Sequence, residues 1–294
     1  NQQIIDLKYK IPISTAIAPA GNQVAVGFAD GTLRLYSLPD SRLQSELQAH
    51  DKEILHLAFH PHGTLLASAS FDKTVKLWRV IADELATPQT FSHPDKVRAV
   101  AFSPNGHLLV TGSNNGQIGL LPLGTAPSAP RTTFYQAHQG PINSVEIDAR
   151  DSYLLSSGAD GYTRLWNLQE DPPTKPVHEY FKAKDEITWA TRSPDQQRFA
   201  TLGRKNFSAY VYATANGQEQ YHLEGHEQTI YRAIFSPDSQ QLLTVSGDAT
   251  VRWWDLNTAS ELLTLDLPTQ AGPTSPLWDF DFRCTAQECW IAVP

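Results

Sequence analysis

Apolar residues in this chain fall into short alternating runs separated by polar turns, and the runs recur at a nearly constant interval. Before a turn such as Ser103-Pro104 lies an alternation like Val97, Val100 and Phe102; after one such as His60-Pro61 comes a short run, Leu65-Leu66-Ala67. Both patterns predict strands, because side chains alternate between the two faces of a pleated ribbon. The turns fall at His60-Pro61, Ser103-Pro104, Ser193-Pro194 and Ser236-Pro237, with Pro19 and Ala149 holding the same place in weaker copies. Their spacings run 42, 43, 45, 45 and 43 residues. A third strand follows an aspartate turn, and a fourth, weaker one leads to the next copy, as in 42–48 or 218–223. Each unit therefore predicts a four-stranded antiparallel sheet.

A second regularity sits on the first. Trp78, Trp166 and Trp254 lie 88 residues apart in both intervals, and each closes the same phrase of aspartate, turn and alternating residues. The phrases are Asp72-Lys73-Thr74-Val75-Lys76-Leu77-Trp78, Asp160-Gly161-Tyr162-Thr163-Arg164-Leu165-Trp166 and Asp248-Ala249-Thr250-Val251-Arg252-Trp253-Trp254. Asp30 to Tyr36 is a further copy, and weaker ones run from Asn115 to Leu121 and from Lys205 to Val211. Units this small cannot bury a core alone, so a period near 40 predicts an array.

These residues, with Gly-His or Ala-His ahead of several copies, resemble the WD-repeat family of β-propellers over nearly the whole chain. The dipeptide that names the family occurs at this position once, as Trp254-Asp255; the others read Trp78-Arg79 and Trp166-Asn167. The resemblance implies an all-β fold, a seven-bladed β-propeller of four-stranded antiparallel blades in a single domain over 1–294. The blades are expected at 11–48, 50–91, 93–135, 138–181, 183–223, 226–267, and 277–294 plus 1–10, the last closed by the N-terminal strand. It also implies a buried chain of His, Ser or Thr, Asp and Trp in each blade. Carried over by position, these are His50, Ser70, Asp72 and Trp78 in the second blade and His226, Ser246, Asp248 and Trp254 in the sixth. The fourth keeps His138, Asp160 and Trp166 with Gly158 in the hydroxyl's place. The third keeps His93 and Ser113 with Asn115 and Leu121, and the fifth, with Ala183, Gly203, Lys205 and Val211, keeps none. An Asp-His-Ser set that recurs and ends on an indole N–H is a structural brace and not a hydrolase triad.

Composition narrows the function. A net charge of −8 with 18% charged residues argues against nucleic acid, whose binding rests on clustered Lys and Arg. No apolar stretch is long enough for a membrane span, and residues 1–10 lack the grammar of a secretory signal. Two cysteines, Cys284 and Cys289, exclude a disulfide framework and suit a cytoplasmic location; two free thiols in a strand pair are expected. Because methionine is absent even at position 1, the chain is expected to be a processed product or part of a longer protein.

Phosphate-loop, dinucleotide, HExxH and GxSxG motifs are all absent, so no enzyme activity and no cofactor is expected. His56, His60 and His62 lack a completing Cys or carboxylate, so no metal site is assigned. Family contact positions lie on the loops before the first strand and between the second and third. Those loops carry Phe71, Tyr231 and Trp278 beside Lys96, Arg98 and Arg204, types that favour interface hot spots. The expected partner is a protein or peptide, an acidic segment suiting those cations, bound by a ring that is monomeric in isolation. A runner-up site is the pair of Pro-rich connections, 122–130 and 172–176. The function these residues point to is a non-catalytic interaction scaffold or docking module of a longer signalling protein. The alternative is a propeller enzyme with metal or carboxylates at its channel mouth.

Overall fold

The computed structural model describes residues 10–38, 40–81, 84–124, 132–170, 173, 175–181, 185–267, 281–284 and 289–292. These divide into two compact units, one drawn from Asn1–Asn114, Gly119–Thr132 and Asp279–Pro294, the other from Asn115–Ile118 and Thr133–Trp278. Both are built of antiparallel sheets whose strands follow one another in chain order. In the first unit one sheet orders Pro12–Ile17, Gln23–Phe28, Thr32–Ser37 and Leu43–Gln48. The next orders Ile54–Phe59, Leu65–Ser70 and Thr74–Ile81, the last paired with both Gln89–Ser92 and the short Glu84–Leu85. A further sheet, whose residues are divided between the two groups given above, runs Val97–Phe102, Leu108–Ser113, Gln117–Pro122 and Thr133–Gln136.

The second unit repeats the plan three times. Its sheets begin on Ile142–Ile147, Ile187–Arg192 and Ile230–Phe235, and end on His178–Phe181, Glu219–Leu223 and Ser260–Asp266. Among the described residues there is no helix long and apolar enough to cross a membrane.

The described residues thus form six blades, not the seven expected. What is described of the seventh is a two-stranded hairpin, Asp281–Cys284 against Cys289–Ala292, with Cys284 and Cys289 opposite one another. Among the described residues each strand of that hairpin pairs with the other. Of the N-terminal strand expected to close it, 1–10, residues 1–9 lie outside the described residues.

The core lies between sheets, which is why one unit cannot fold alone. Leu33 and Leu35 of the first sheet pack with Ile54, Leu57, Leu66 and Trp78 of the second. Val75, Leu77 and Phe91 of the second pack with Val97, Val100 and Leu109 of the third. In the other unit Val211 and Leu223 meet Ile230, Leu242 and Trp254 in the same way. The proline turns hold the first two strands of several blades together. Ser103, Ser193 and Ser236 each use the hydroxyl oxygen to accept the N–H of the residue five positions on, at 2.9–3.0 Å, and donate to the side chain two positions on.

Every first strand carries a β-bulge. The ladder register skips from Pro12 to Ser14, Ile54 to His56, Val97 to Ala99, Ile142 to Ser144, Ile187 to Trp189 and Ile230 to Arg232. The skipped residue is left out of the ladder and its side chain is re-aimed.

The aspartate turn requires a left-handed residue. Gly31 has φ of +82°, and a Cβ there would lie 2.1 Å from the His50 carbonyl oxygen. Ala249 occupies the same turn position with φ of 63°. Gly31→Ala is expected to destabilise by about 2 kcal/mol or more, from left-handed strain plus the clash, while Ala249→Gly shifts stability by less than about 1 kcal/mol. Urea midpoints of the two variants check this; a wild-type midpoint for Gly31→Ala would refute the turn geometry.

Candidate functional site

Beneath the loop face stand the braces, and three blades carry them complete. In the second, Trp78 Nε1–H donates to Ser68 Oγ at 2.9 Å, Ser68 Oγ lies 2.7 Å from His50 Nε2, and His50 Nδ1 lies 2.9 Å from Asp72 Oδ2. Chemistry sets the direction of the chain. An indole N–H can only donate and an ionised carboxylate can only accept, so His50 carries its proton on Nδ1 and accepts the Ser68 hydroxyl at Nε2. Asp72 also accepts the backbone N–H groups of Asp51 and Thr74 and the Thr74 hydroxyl. The fourth blade runs Trp166, Ser156, His138, Asp160 at 2.9, 2.8 and 2.9 Å, and the sixth runs Trp254, Thr244, His226, Asp248 at 2.8 Å throughout.

The hydroxyl is therefore not Ser70 or Ser246, and the fourth blade does not lack one. Ser68, Ser156 and Thr244 sit two residues earlier on the same face of the second strand, opposite the third-strand residue two before the tryptophan. Ser70 and Ser246 end their strands and serve the turn. Each accepts the N–H of the turn aspartate, at 3.0 and 3.2 Å, and donates to a loop carbonyl, Lys52 O and Gln228 O. The missed signal is spacing: each brace hydroxyl stands 18 residues after its histidine and 10 before its tryptophan.

The other blades vary the theme. In the third, His93 reaches Thr111 Oγ1 at 3.0 Å, not Ser113, and turns Nδ1 to the Phe91 carbonyl. In the first, Lys10 bridges Asp30 and Thr32 at 2.6 and 2.7 Å. In the fifth, Asp185 Oδ2 accepts the N–H of Lys205 at 2.8 Å, and Asn206 donates to the Tyr210 hydroxyl. Register there places Tyr212, opposite Phe199, where Trp254 stands opposite Leu242, so Val211 is not at the tryptophan position.

Burial sets the charge states. It pushes the His50 and His138 imidazoles below their usual range despite the aspartate beside each. Burial pushes His93 down to about 4, against its hydrogen bond to the Phe91 carbonyl. Burial alone would raise the Asp160 and Asp248 carboxyls, but donation from His138 and Arg164 in one, and His226 and Thr250 in the other, holds both well below the usual carboxylate range. Neutral imidazole facing ionised carboxylate is thus the folded form.

Above the braces, each blade ties its two contact loops together. The residue before the turn aspartate donates its N–H to the carbonyl of the residue before the first strand: Ala29 to Ile11, Phe71 to Glu53, Asn114 to Lys96, Ala159 to Pro141, Arg204 to Glu186 and Gly247 to Thr229, all at 2.8–3.1 Å. Arg98 and Tyr231 are the skipped residues of their bulges. In the first unit the Lys96 ammonium lies 3.7 Å from the centre of the Phe71 ring. In the second, exposed Arg204 pairs with Glu186 at 2.8 Å, and Thr229 donates its hydroxyl to the Arg204 carbonyl. Burial raises the nearby Tyr231 hydroxyl, partly offset by the Arg204 charge. Trp278 lies outside the described residues, as do 125–130, 172 and 174 of the Pro-rich connections.

The histidines noted near the first proline turn are engaged by backbone. His56 Nδ1 accepts the Val100 N–H at 3.2 Å, and His60 Nε2–H donates to the Gly106 carbonyl at 3.2 Å. Among the described residues no group of three or more His, Cys, Asp or Glu is placed to hold a metal ion.

Four-stranded blades braced by Trp, hydroxyl, His and Asp agree with sequence comparison. The family profile described as "WD domain, G-beta repeat" matches residues 41–79, 86–120, 129–167 and 217–255, more than half of the chain. The chain belongs to the WD-repeat family of β-propellers. It is 27% identical over 241 residues to the target of rapamycin complex subunit wat1 of Schizosaccharomyces pombe, covering 80% of this chain and 74% of that protein. It is 26% identical to the nuclear distribution protein PAC1 of Arthroderma otae over 83% of this chain and 58% of that one. With actin-interacting protein 1-2 of Arabidopsis thaliana the match is 28% identical over 54% of this chain and 26% of that protein.

Ser68→Ala leaves a buried indole N–H and an imidazole nitrogen without partners and is expected to destabilise by about 2–3 kcal/mol, against about 1 kcal/mol for Ser70→Ala. Equal urea midpoints for the two would contradict the assignment of the brace hydroxyl. Stability is also expected to fall with pH. His93 titrates near 4 folded and about 6.5 unfolded, so its contribution is full above the unfolded value and is lost as pH falls toward the folded one. That loss is on the order of 3 kcal/mol. His50 and His138 act in the same direction, and the aspartates add to it below about pH 4. Urea midpoints from pH 7 to pH 4 should drop, less steeply in His93→Gln; a rise on acidification would reverse the sign of the argument.

Proposed function

We propose that this chain is a non-catalytic protein-interaction platform, a single propeller domain serving as the docking module of a longer signalling protein in the cytoplasm. WD-repeat propellers generally bind proteins. The observation that carries the reading is the paired loops: each blade fixes two contact loops by one backbone hydrogen bond, leaving their side chains unneeded by the ladder. Among the relatives, one is named as a subunit of a complex and another as interacting with actin, which supports a binding role for this fold.

The proposed contact residues are Phe71, Lys96 and Arg98 on one unit, Arg204 and Tyr231 on the other, and Trp278. An acidic segment is the partner chemistry these cations suit. It would draw Lys96 from the Phe71 ring and compete with Glu186 for Arg204, so binding is expected to weaken with salt. The isolated domain is proposed to be a monomer.

Replacing Arg98, Arg204 and Trp278 together with Ala is expected to leave the melting curve within a few degrees of wild type while abolishing capture of the chain's partner in a pull-down. Undiminished capture by the triple variant would remove these residues from consideration.

A further inference from the structure

Neither the braces nor the rim employs the chain's two cysteines. The hairpin brings them to one register position: its ladder pairs Asp281 with Ala292, Phe282 with Ile291, Arg283 with Trp290 and Cys284 with Cys289. Directly opposed residues of an antiparallel pair share one face of the sheet, with Cα atoms about 4.5 or 5.5 Å apart according to the hydrogen bonding of the pair. A disulfide spans about 4.4–6.8 Å between Cα atoms, so either kind of pair admits one. The backbone therefore makes these residues a dithiol pair and not two separate thiols.

The same register sets the character of the bond. Opposed residues on antiparallel strands hold their Cβ atoms about 4.5–5.5 Å apart, whereas a disulfide holds them at about 3.5–4.5 Å. The two ranges meet only at their limits, so bonding draws the strands together and leaves the bond easy to reduce. In a reducing compartment such a pair rests as thiols and closes under oxidation. Its place in the fold gives the closure an effect. The hairpin belongs to the first unit and lies beside that unit's first strand, Pro12–Ile17. That sheet meets the second sheet through Ala16, Ala25, Leu33 and Leu35, and its other face carries the buried Ile17, Val24, Val26 and Phe28. A two-stranded ribbon with four residues in each strand is marginally stable by itself, so a covalent link across it acts where the ladder is weakest.

We propose that Cys284 and Cys289 are a reversible redox switch: exchange with a low-molecular-weight disulfide links them, locking the hairpin beside Pro12–Ile17, and reduction releases it. One cysteine thiolate attacks the small disulfide, forming a mixed disulfide and expelling one small thiol. The other thiolate attacks the cysteine sulfur of that mixed disulfide and expels the second small thiol. The chain gives up two protons and two electrons, and the small disulfide takes up both.

The test incubates the full chain, without denaturant, with oxidised glutathione and reads its intact mass. The expected product is lighter by two hydrogen atoms, carries no glutathione, resists thiol alkylation and returns to the starting mass with dithiothreitol. Cys284→Ser and Cys289→Ser are each expected to retain one glutathione as a stable mixed disulfide. Phenylarsine oxide, whose arsenic bridges two neighbouring thiols, is expected to shield both cysteines of the reduced chain from alkylation. Hydrogen exchange at the amides of Phe282, Arg283, Trp290 and Ile291 is expected to slow about tenfold or more on oxidation, and to stay unchanged in the serine variants. A wild-type chain that keeps glutathione, links to a second copy, or closes its disulfide only in denaturant would overturn the pairing. Closure with unaltered hairpin exchange would overturn the locking.

Discussion

An indole N–H sealed between two sheets has no water to bond and no lone pair to offer, so a protein acceptor must be supplied where the ring lies. In this chain that acceptor is a serine or threonine hydroxyl, which must then donate onward to an imidazole, which must donate to a carboxylate. Each member is forced by the one before it. The carboxylate reaches the surface turn and ends the sequence by gathering backbone N–H groups there, so a demand that starts in the core fixes a loop at the rim. Hydrogen bonds to a charged group contribute about 1.5–3 kcal/mol, roughly twice the usual amount, which makes the aspartate end the firm one.

Where members are missing, the blade finds other terms. The first replaces imidazole with Lys10, whose ammonium reaches both Asp30 and Thr32. The third keeps the histidine but ties it to a main-chain carbonyl. The fifth abandons the chain, holds its turn from Asp185, and stacks Tyr210 on His222 at 4.4 Å. Its aromatic residues partly replace the lost indole.

Much of this was legible in the chain, for physical reasons. Alternation and turn residues mark strands because a pleated ribbon has two faces, and the constant interval marks an array because no unit closes its own core. The identity of the brace hydroxyl was misplaced by two residues, a slip that period-two alternation hides, since Ser68 and Ser70 lie on one face and only contact tells them apart. Tyr212 was missed because the turn after Gly203 is longer than its counterparts and pushes the third strand one residue on. The seventh blade was inferred from two strands and a closing rule, and two strands make only a hairpin. The bulges were invisible, because an extra residue in a strand disturbs the ladder without disturbing the apolar pattern around it.

Those bulges carry a consequence for how such a molecule changes over generations. In each first strand one position is skipped by the ladder and is only partly buried. Selection can therefore rewrite what the rim recognises, one blade at a time, while the positions that secure folding stay untouched. Recognition and foldability become separately heritable, and a single scaffold can acquire new allegiances without first becoming fragile.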